Sequence, residues 1–270
     1  MMQRDWIRPF TICAMSVLMA SGCASAPDDR SWGGNAHWPG GGSFRQALVT
    51  AAKDPQTWVP LAGALALQID DADENASRWL ANEQPLFGRN AADTSDTLSN
   101  LTTAMYFATA LAAPSAGLRD KGRGLAVGLG AIALNKAVTE GLKSAAGRER
   151  PNRQDNRSMP SGHASNASVS SAMAISNADY LPAPDWFRHG LTAGLYAMAG
   201  GASLARVEAG EHYLSDVLVG YALGHFIAAF MQQAFIQAES PAVSVSFVPV
   251  TRGGVFTVSI PVGGAQGGLR

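Results

Sequence analysis

Residues 124–143 read GLAVGLGAIALNKAVTEGLK, a run in which Ala, Gly and Leu recur at close spacing and few residues are β-branched. Such a segment is predicted to be a helix whose small side chains let neighbouring helices approach closely. Residues 164–178, 191–206 and 215–238 have the same texture. Shorter helical signals precede them at 44–52, 58–69, 73–81 and 95–112, separated by turns carrying Pro55, Pro85, Gly88 and Pro114. The pattern predicts an all-α helical bundle over residues 44–240. After Pro241 it changes to strict alternation, Val243, Val245 and Phe247, then Thr251-Arg252-Gly253-Gly254, then Phe256, Val258 and Ile260, which predicts a small C-terminal β-hairpin within 241–270.

The apolar stretches mostly fall short of the roughly 20 residues needed to cross a bilayer. The longest, 217–236, contains His225, Gln232 and Gln233. A soluble bundle is therefore preferred to a multi-pass membrane protein, although small-residue helix packing occurs in membranes too. The chain of 270 residues carries 20 basic and 21 acidic side chains, so it has no global basic field, which argues against nucleic-acid binding by bulk electrostatics and leaves room for a local basic pocket. Only 15% of residues are charged, below the roughly 25% usual for soluble domains.

At the amino terminus, Arg4 and Arg8 precede an apolar run that ends at Ala20-Ser21-Gly22-Cys23. This is the order of a secretory signal, and small residues followed by Cys resemble a bacterial lipobox. Residues 1–22 are read as a lipoprotein-type signal peptide, with Cys23 lipidated, in preference to an ordinary signal or an uncleaved anchor. Residues 23–43, rich in Gly and Pro, are read as a flexible tether. The expected location is a globule in the periplasm, anchored to an envelope membrane, the outer one by preference. Loss of Cys13 with the signal leaves no disulfide, so the fold must rest on its packed core.

Three segments between residues 143 and 216 carry chemistry. Lys143 and Arg150-Pro151 lie seven residues apart, two turns if a helix persists, and would set a point charge and a planar fork on one face. Pro160-Ser161-Gly162-His163 stands at a predicted helix start, where free backbone N–H groups and the positive dipole end favour an anion. Arg206 is followed by His212 and Asp216, whose spacing lets the carboxylate accept a proton from one imidazole nitrogen and leave the other as nucleophile or base. Taken alone, the first segment reads as a solvated pair and the second as an ordinary Ser cap with a surface His, and the third fits a structural pair as well as a catalytic one.

Together the three segments resemble the type 2 phosphatidic acid phosphatase superfamily, which includes bacterial non-specific acid phosphatases and vanadium haloperoxidases. The family signature is Lys, six residues, Arg-Pro; Pro-Ser-Gly-His; and Ser-Arg, five residues, His, three residues, Asp. Every charged and imidazole position is matched by Lys143, Arg150, His163, Arg206, His212 and Asp216. Ala205 stands where the family usually has Ser, and only eight residues join the first two segments. The resemblance implies the family's helical fold and the following roles. Lys143, Arg150, Ser161, Gly162 and Arg206 bind phosphate, His212 attacks phosphorus, Asp216 orients it, and His163 protonates the leaving group. It further implies a metal-independent phosphatase without cofactor, inhibited by vanadate, that uses a phosphohistidine intermediate. Export next to a membrane favours lipid phosphates or diphosphates over soluble esters.

The rival readings are a vanadate-dependent haloperoxidase and a non-enzymatic anion-binding envelope lipoprotein. Homo-oligomer formation is left open. His37, His189 and His225 match no signature position and are assigned structural roles. Arg148 and Glu149 could contact substrate or each other. The acidic cluster Asp70, Asp71, Asp73 and Glu74 reads as a solvated helix start in preference to a calcium site. Trp79, Leu80, Leu86 and Phe87 are assigned to the core in preference to a lipid-facing wall.

Overall fold

The computed structural model describes residues 31–236 in full, and the backbone of residues 244–250 and 253–259. The expected signal peptide, Cys23 and the first part of the expected tether lie outside the described residues. Among the described residues eight α-helices follow in order: α1 (Gly41–Lys53), α2 (Pro55–Ala66), α3 (Ala72–Glu83), α4 (Ala91–Ala112), α5 (Leu118–Ala146), α6 (Gly162–Ala178), α7 (Asp185–Glu208) and α8 (Leu214–Phe235). In the separate unit 238–270, β1 (Ser244–Val250) pairs antiparallel with β2 (Gly253–Ser259), with Phe247 opposite Phe256.

The centre of the bundle is α6, which packs against α4, α5, α7 and α8. Its sequence explains the position. Eleven of its residues are buried, nearly all of them Ala, Ser or other small groups, so adjoining helices come close on every side. The buried hydroxyls satisfy one another or the backbone: Asn135 Nδ2 donates to Ser165 Oγ at 3.2 Å, Ser168 Oγ to Tyr221 O at 2.7 Å, and Ser171 Oγ to Leu195 O at 3.2 Å. Closest of all is the approach of α8. A Cβ on Gly220 would lie 2.5 Å from Ser161 O, and one on Gly224 would overlap Ser165 O more severely. These two glycines set the distance between α6, with the Ser161 segment at its start, and α8, which follows His212.

Several helices extend beyond their predicted limits. Pro55 is the first residue of α2 rather than part of the turn before it, since its missing N–H costs nothing there and Asp54 caps the helix through Gln56 N at 2.9 Å. The expected tether is shorter than 23–43. Trp32 is buried, donating from Nε1 to Asn177 Oδ1 at 2.9 Å, Ser31 Oγ donates to Asp120, and α1 begins at Gly41. Among the described residues two helices are long and apolar enough to cross a membrane, α5 and α8. The apolar stretch of α8 is 61% buried inside the bundle, whereas that of α5 is only 28% buried.

Candidate active site

The end of α5, the start of α6, the end of α7 and the start of α8 bring the three segments together. Lys143 lies in the last turn of α5, nearly buried, and Gly147 with φ +56 stops that helix. Arg150 therefore does not share a helical face with Lys143. It reaches the site from the connection, where its backbone N–H donates to Asp155 O at 3.0 Å and its Nε to Asp155 Oδ1 at 2.7 Å. Asp155 also accepts from Arg157 N at 2.8 Å, while the Arg157 guanidinium pairs with Glu140. The short connection is thus braced by its own charges.

Ser161 is the N-cap of α6, accepting from Ala164 N at 3.5 Å, and its own N–H donates to Asp216 O at 3.0 Å. Gly162 faces the Lys143 ammonium, which would stand 3.5 Å from a Cβ there. Arg206, in the last turn of α7, is 8% exposed. Its Nη2 lies 3.2 Å from Glu211 Oε2, an oxygen that also pairs with Arg150, and its Nη1 lies 3.7 Å from Asp96 Oδ1. The buried Arg206 Nε has no hydrogen-bond partner. Two cations assigned to phosphate thus converge on one carboxylate oxygen, which stands in the manner of a small anion between them.

His212 is 1% exposed. It precedes α8, and Asp216 sits in the first turn, where Oδ2 accepts from Tyr213 N at 2.9 Å in a capping box. The pair is therefore not one turn apart on a helix, as the spacing alone suggests. His212 Nδ1 lies 3.8 Å from Asp216 Oδ2, beyond hydrogen-bond reach, and has no other partner. Burial pushes the His212 imidazole below its usual value, Asp216 opposes this, and Arg206 and Arg150 add to it. A neutral ring is the form that can act as a nucleophile.

His163, in the first turn of α6, places Nε2 2.9 Å from Asp96 Oδ1. Its imidazole is also lowered, first by burial and then by Arg206; Asp96 raises it, and His212 and Lys143 lower it further. Burial is the main cause that lowers Lys143 too, opposed by Glu140 and assisted by Arg150. Asp96, on α4, has no signal in the sequence because it lies 67 residues before His163 and only the fold joins them.

Three sequence readings change. Asp73 is 4% exposed, whereas Asp70, Asp71 and Glu74 are exposed. Its carboxylate holds Arg148 Nη2 at 2.8 Å and Ser215 N at 2.8 Å, so it is a buried partner rather than part of a solvated helix start. Arg148 turns away from Glu149 towards Asp216 Oδ1, at 2.8 Å. Trp79 and Leu86 are 57% and 64% exposed and do not belong to the core, although Leu80 packs against a buried cluster of Ala164, Val207 and Val217. The backbone of Leu86 and Phe87 is fastened to the site, since both N–H groups donate to the buried Glu208 carboxylate, at 3.0 and 2.9 Å.

Away from the site, His225 Nε2 lies 3.2 Å from Asp54 Oδ2 across α8 and α2, and His37 Nδ1 lies 2.8 Å from Asn35 O. Among the described residues no three His, Cys, Asp or Glu side chains are grouped so as to hold a metal ion.

The sequence model of the PAP2 superfamily matches residues 124–238. No curated protein matches the chain. Among solved structures, one described as the first transmembrane PAP2 type phosphatidylglycerolphosphate phosphatase from Bacillus subtilis is similar in fold. It is 22% identical, the match covers 67% of this chain and 94% of that one, and the TM-score is 0.51. The matched region holds all three motif segments, and the helical fold around them is similar to that of the PAP2-type structure.

Proposed function

We propose that the chain is a phosphoric ester hydrolase that releases phosphate from lipid phosphates or diphosphates through a phosphohistidine at His212. The observation that carries this reading is that Arg150 and Arg206 converge on one oxygen of Glu211 and Lys143 faces Gly162, beside a buried His212 whose charged form is disfavoured and which faces Asp216. The three cations, Ser161 and the Gly162 N–H hold the phosphoryl oxygens and strengthen their grip as charge spreads in the transition state. Glu211 leaves Arg150 and Arg206 when phosphate arrives. His212 attacks phosphorus as the ester P–O bond breaks, and His163 gives the leaving oxygen its proton. Water then attacks the phosphohistidine while His163 takes a proton from it, which releases phosphate and restores both rings.

No divalent metal or other cofactor is assigned a role, because three fixed cations supply the charge compensation that metals provide elsewhere. Phosphate release by the purified full chain in detergent is expected to be unaffected by EDTA and blocked by orthovanadate. Loss of activity on chelation, restored by magnesium, would overturn that part of the reading. Lipid substrates are favoured over soluble monoesters by exposed Trp79 and Leu86, which flank the segment tied to Glu208, and by the lipidation of Cys23 proposed from the lipobox. A periplasmic globule anchored at the outer membrane is proposed on the same ground. Bromide oxidation by peroxide with vanadate, and no phosphate release, would favour a haloperoxidase.

The state of His163 sets the pH dependence. Its protonated form is required, and its value lies below the ordinary 6.5. The protonated fraction therefore falls as pH rises through a value on the acid side of 6.5, and kcat/KM is expected to decline there. Asp96 is the group that raises His163. Asp96→Asn is expected to move this basic limb to lower pH; a limb that stays in place or moves upward would contradict the role of the pair.

A further inference from the structure

The matched region begins at residue 124, yet the buried side of its Asp216 is completed by a residue far upstream. Asp216 has no exposure and both its oxygens are engaged. Oδ1 accepts from Arg148 Nη1 at 2.8 Å; Oδ2 accepts from Ser158 Oγ and from Tyr213 N. The guanidinium of Arg148 is itself fixed on three sides. Nη2 donates to Asp73 Oδ2 at 2.8 Å, Nη1 donates also to Ser215 Oγ at 2.7 Å, and its plane lies over the Tyr213 ring with the central carbon 4.1 Å from the centroid. Asp73 in turn holds Ser215 by its N–H at 2.8 Å and by its hydroxyl. Ser77, one turn along α3, accepts from Leu214 N at 2.8 Å. Helix α3 thus grips the first turn of α8 at two consecutive residues, Leu214 and Ser215, and Arg148 extends the grip to Asp216.

We propose that Arg148, held by Asp73, is a positioning residue for the reaction: it fixes the plane of the Asp216 carboxylate so that Oδ2, 3.8 Å from His212 Nδ1, is one small closing movement from the hydrogen bond that sets the orientation and tautomer of His212. The inference rests on the phosphohistidine reading above. Its physical ground is that a carboxylate with no exposure needs a counter-charge, and neutral His212 supplies none. Burial alone would raise the Asp216 carboxyl; the neighbouring His212 ring, Ser158, Arg148 and the Tyr213 N–H together bring it below its usual value. The groups facing Asp216 are Arg148 from the segment after α5, Ser158 from the connection to α6, and His212 and Tyr213 from its own turn, with Asp73 of α3 behind Arg148. Arg148 is the one full positive charge among them. A planar fork suits the task, because it contacts Asp73 and Asp216 at once, whereas an ammonium keeps charge without the geometry.

The test compares Arg148→Ala, Arg148→Lys and Asp73→Asn in the full chain, with His212→Ala as control. Arg148→Ala is expected to lower kcat about 100-fold, the scale of a misplaced reacting group, and to leave KM and the inhibition constant of inorganic phosphate within about twofold. Arg148→Lys recovers part of kcat, Asp73→Asn loses about tenfold, and the acid limb of kcat moves to higher pH in Arg148→Ala because Asp216 then protonates more readily. In Asp216→Asn, adding Arg148→Ala costs nothing further. A second readout does not need turnover. The imidazole 15N shifts of His212 report one tautomer in the wild type and a mixture in Arg148→Ala.

Unchanged kcat in both Arg148 variants, equal losses in kcat and phosphate affinity, multiplying losses in the double variant, or an unchanged His212 tautomer would each overturn the proposal. Full activity of His212→Ala would instead overturn the phosphohistidine reading. The tautomer result would still decide whether Arg148 positions His212.

Discussion

Replacement of His212 by Ala is expected to lower phosphate release by roughly ten-thousand-fold or more, because it removes the proposed nucleophile and not merely one of several supports. The buried position makes the case stronger than motif membership alone. An imidazole at 1% exposure, with Nδ1 lacking a partner and its charged form disfavoured by burial, Arg206 and Arg150, is kept neutral at some cost in stability. A phosphoryl group on its other nitrogen would make the ring cationic, and only then does the Asp216 carboxylate, 3.8 Å from Nδ1, gain an opposite charge to stabilise. Lys143, Arg150 and Arg206, the cations proposed to hold phosphate, are untouched by the substitution. His212→Ala is therefore expected to bind inorganic phosphate with little change while turnover disappears. A parallel fall in both would point to collapse of the pocket and not to loss of a nucleophile.

The second large effect concerns stability. Gly224→Ala adds one methyl group, normally a favourable change inside a helix, since Gly costs up to about 1 kcal/mol relative to Ala there. Here the methyl meets the Ser165 carbonyl, Ser168 Cβ at 2.9 Å and Val169 N at 2.9 Å on α6. Two of the three are backbone atoms of the central helix, so relief requires α6 and α8 to separate. The expected cost is about 3 kcal/mol, a fall in melting temperature on the order of 10 °C for a domain of this size. Thermal unfolding of the purified variant checks it, and an unchanged or raised melting temperature would show that the two helices are not in the contact described. Since Gly220 makes the same kind of contact with Ser161, separation there would also displace the Pro160–His163 segment.

The helices and the motif segments were legible because their signals are local. Ala-rich periodicity placed every helix of the bundle, and the Lys143, Arg150, His163, Arg206, His212 and Asp216 pattern picked out residues that the fold does bring to one end of it. What stayed hidden depends on distant chain segments meeting. Asp96 beside His163 and Asp73 beside Arg148 come from helices before the motif region, and neither acidic residue differs in local sequence from a surface carboxylate. Asp73 in particular stands among three other acidic residues that do face solvent. Spacing also misled in two places. Gly147 ends α5 between Lys143 and Arg150, and His212 lies before α8 rather than on it, so separations of seven and four residues are not helical turns here.

The central claim is that His212 carries the phosphoryl group between substrate and water. Rapid acid-free quenching of the full chain during turnover of a labelled phosphate ester, followed by mapping of the modified residue, tests it most directly. The account predicts an acid-labile, base-stable phosphoramidate on His212 that forms and decays at rates consistent with turnover and is absent from His212→Gln. Turnover with no phosphoenzyme under conditions that trap it, or a label on any other residue, would contradict it.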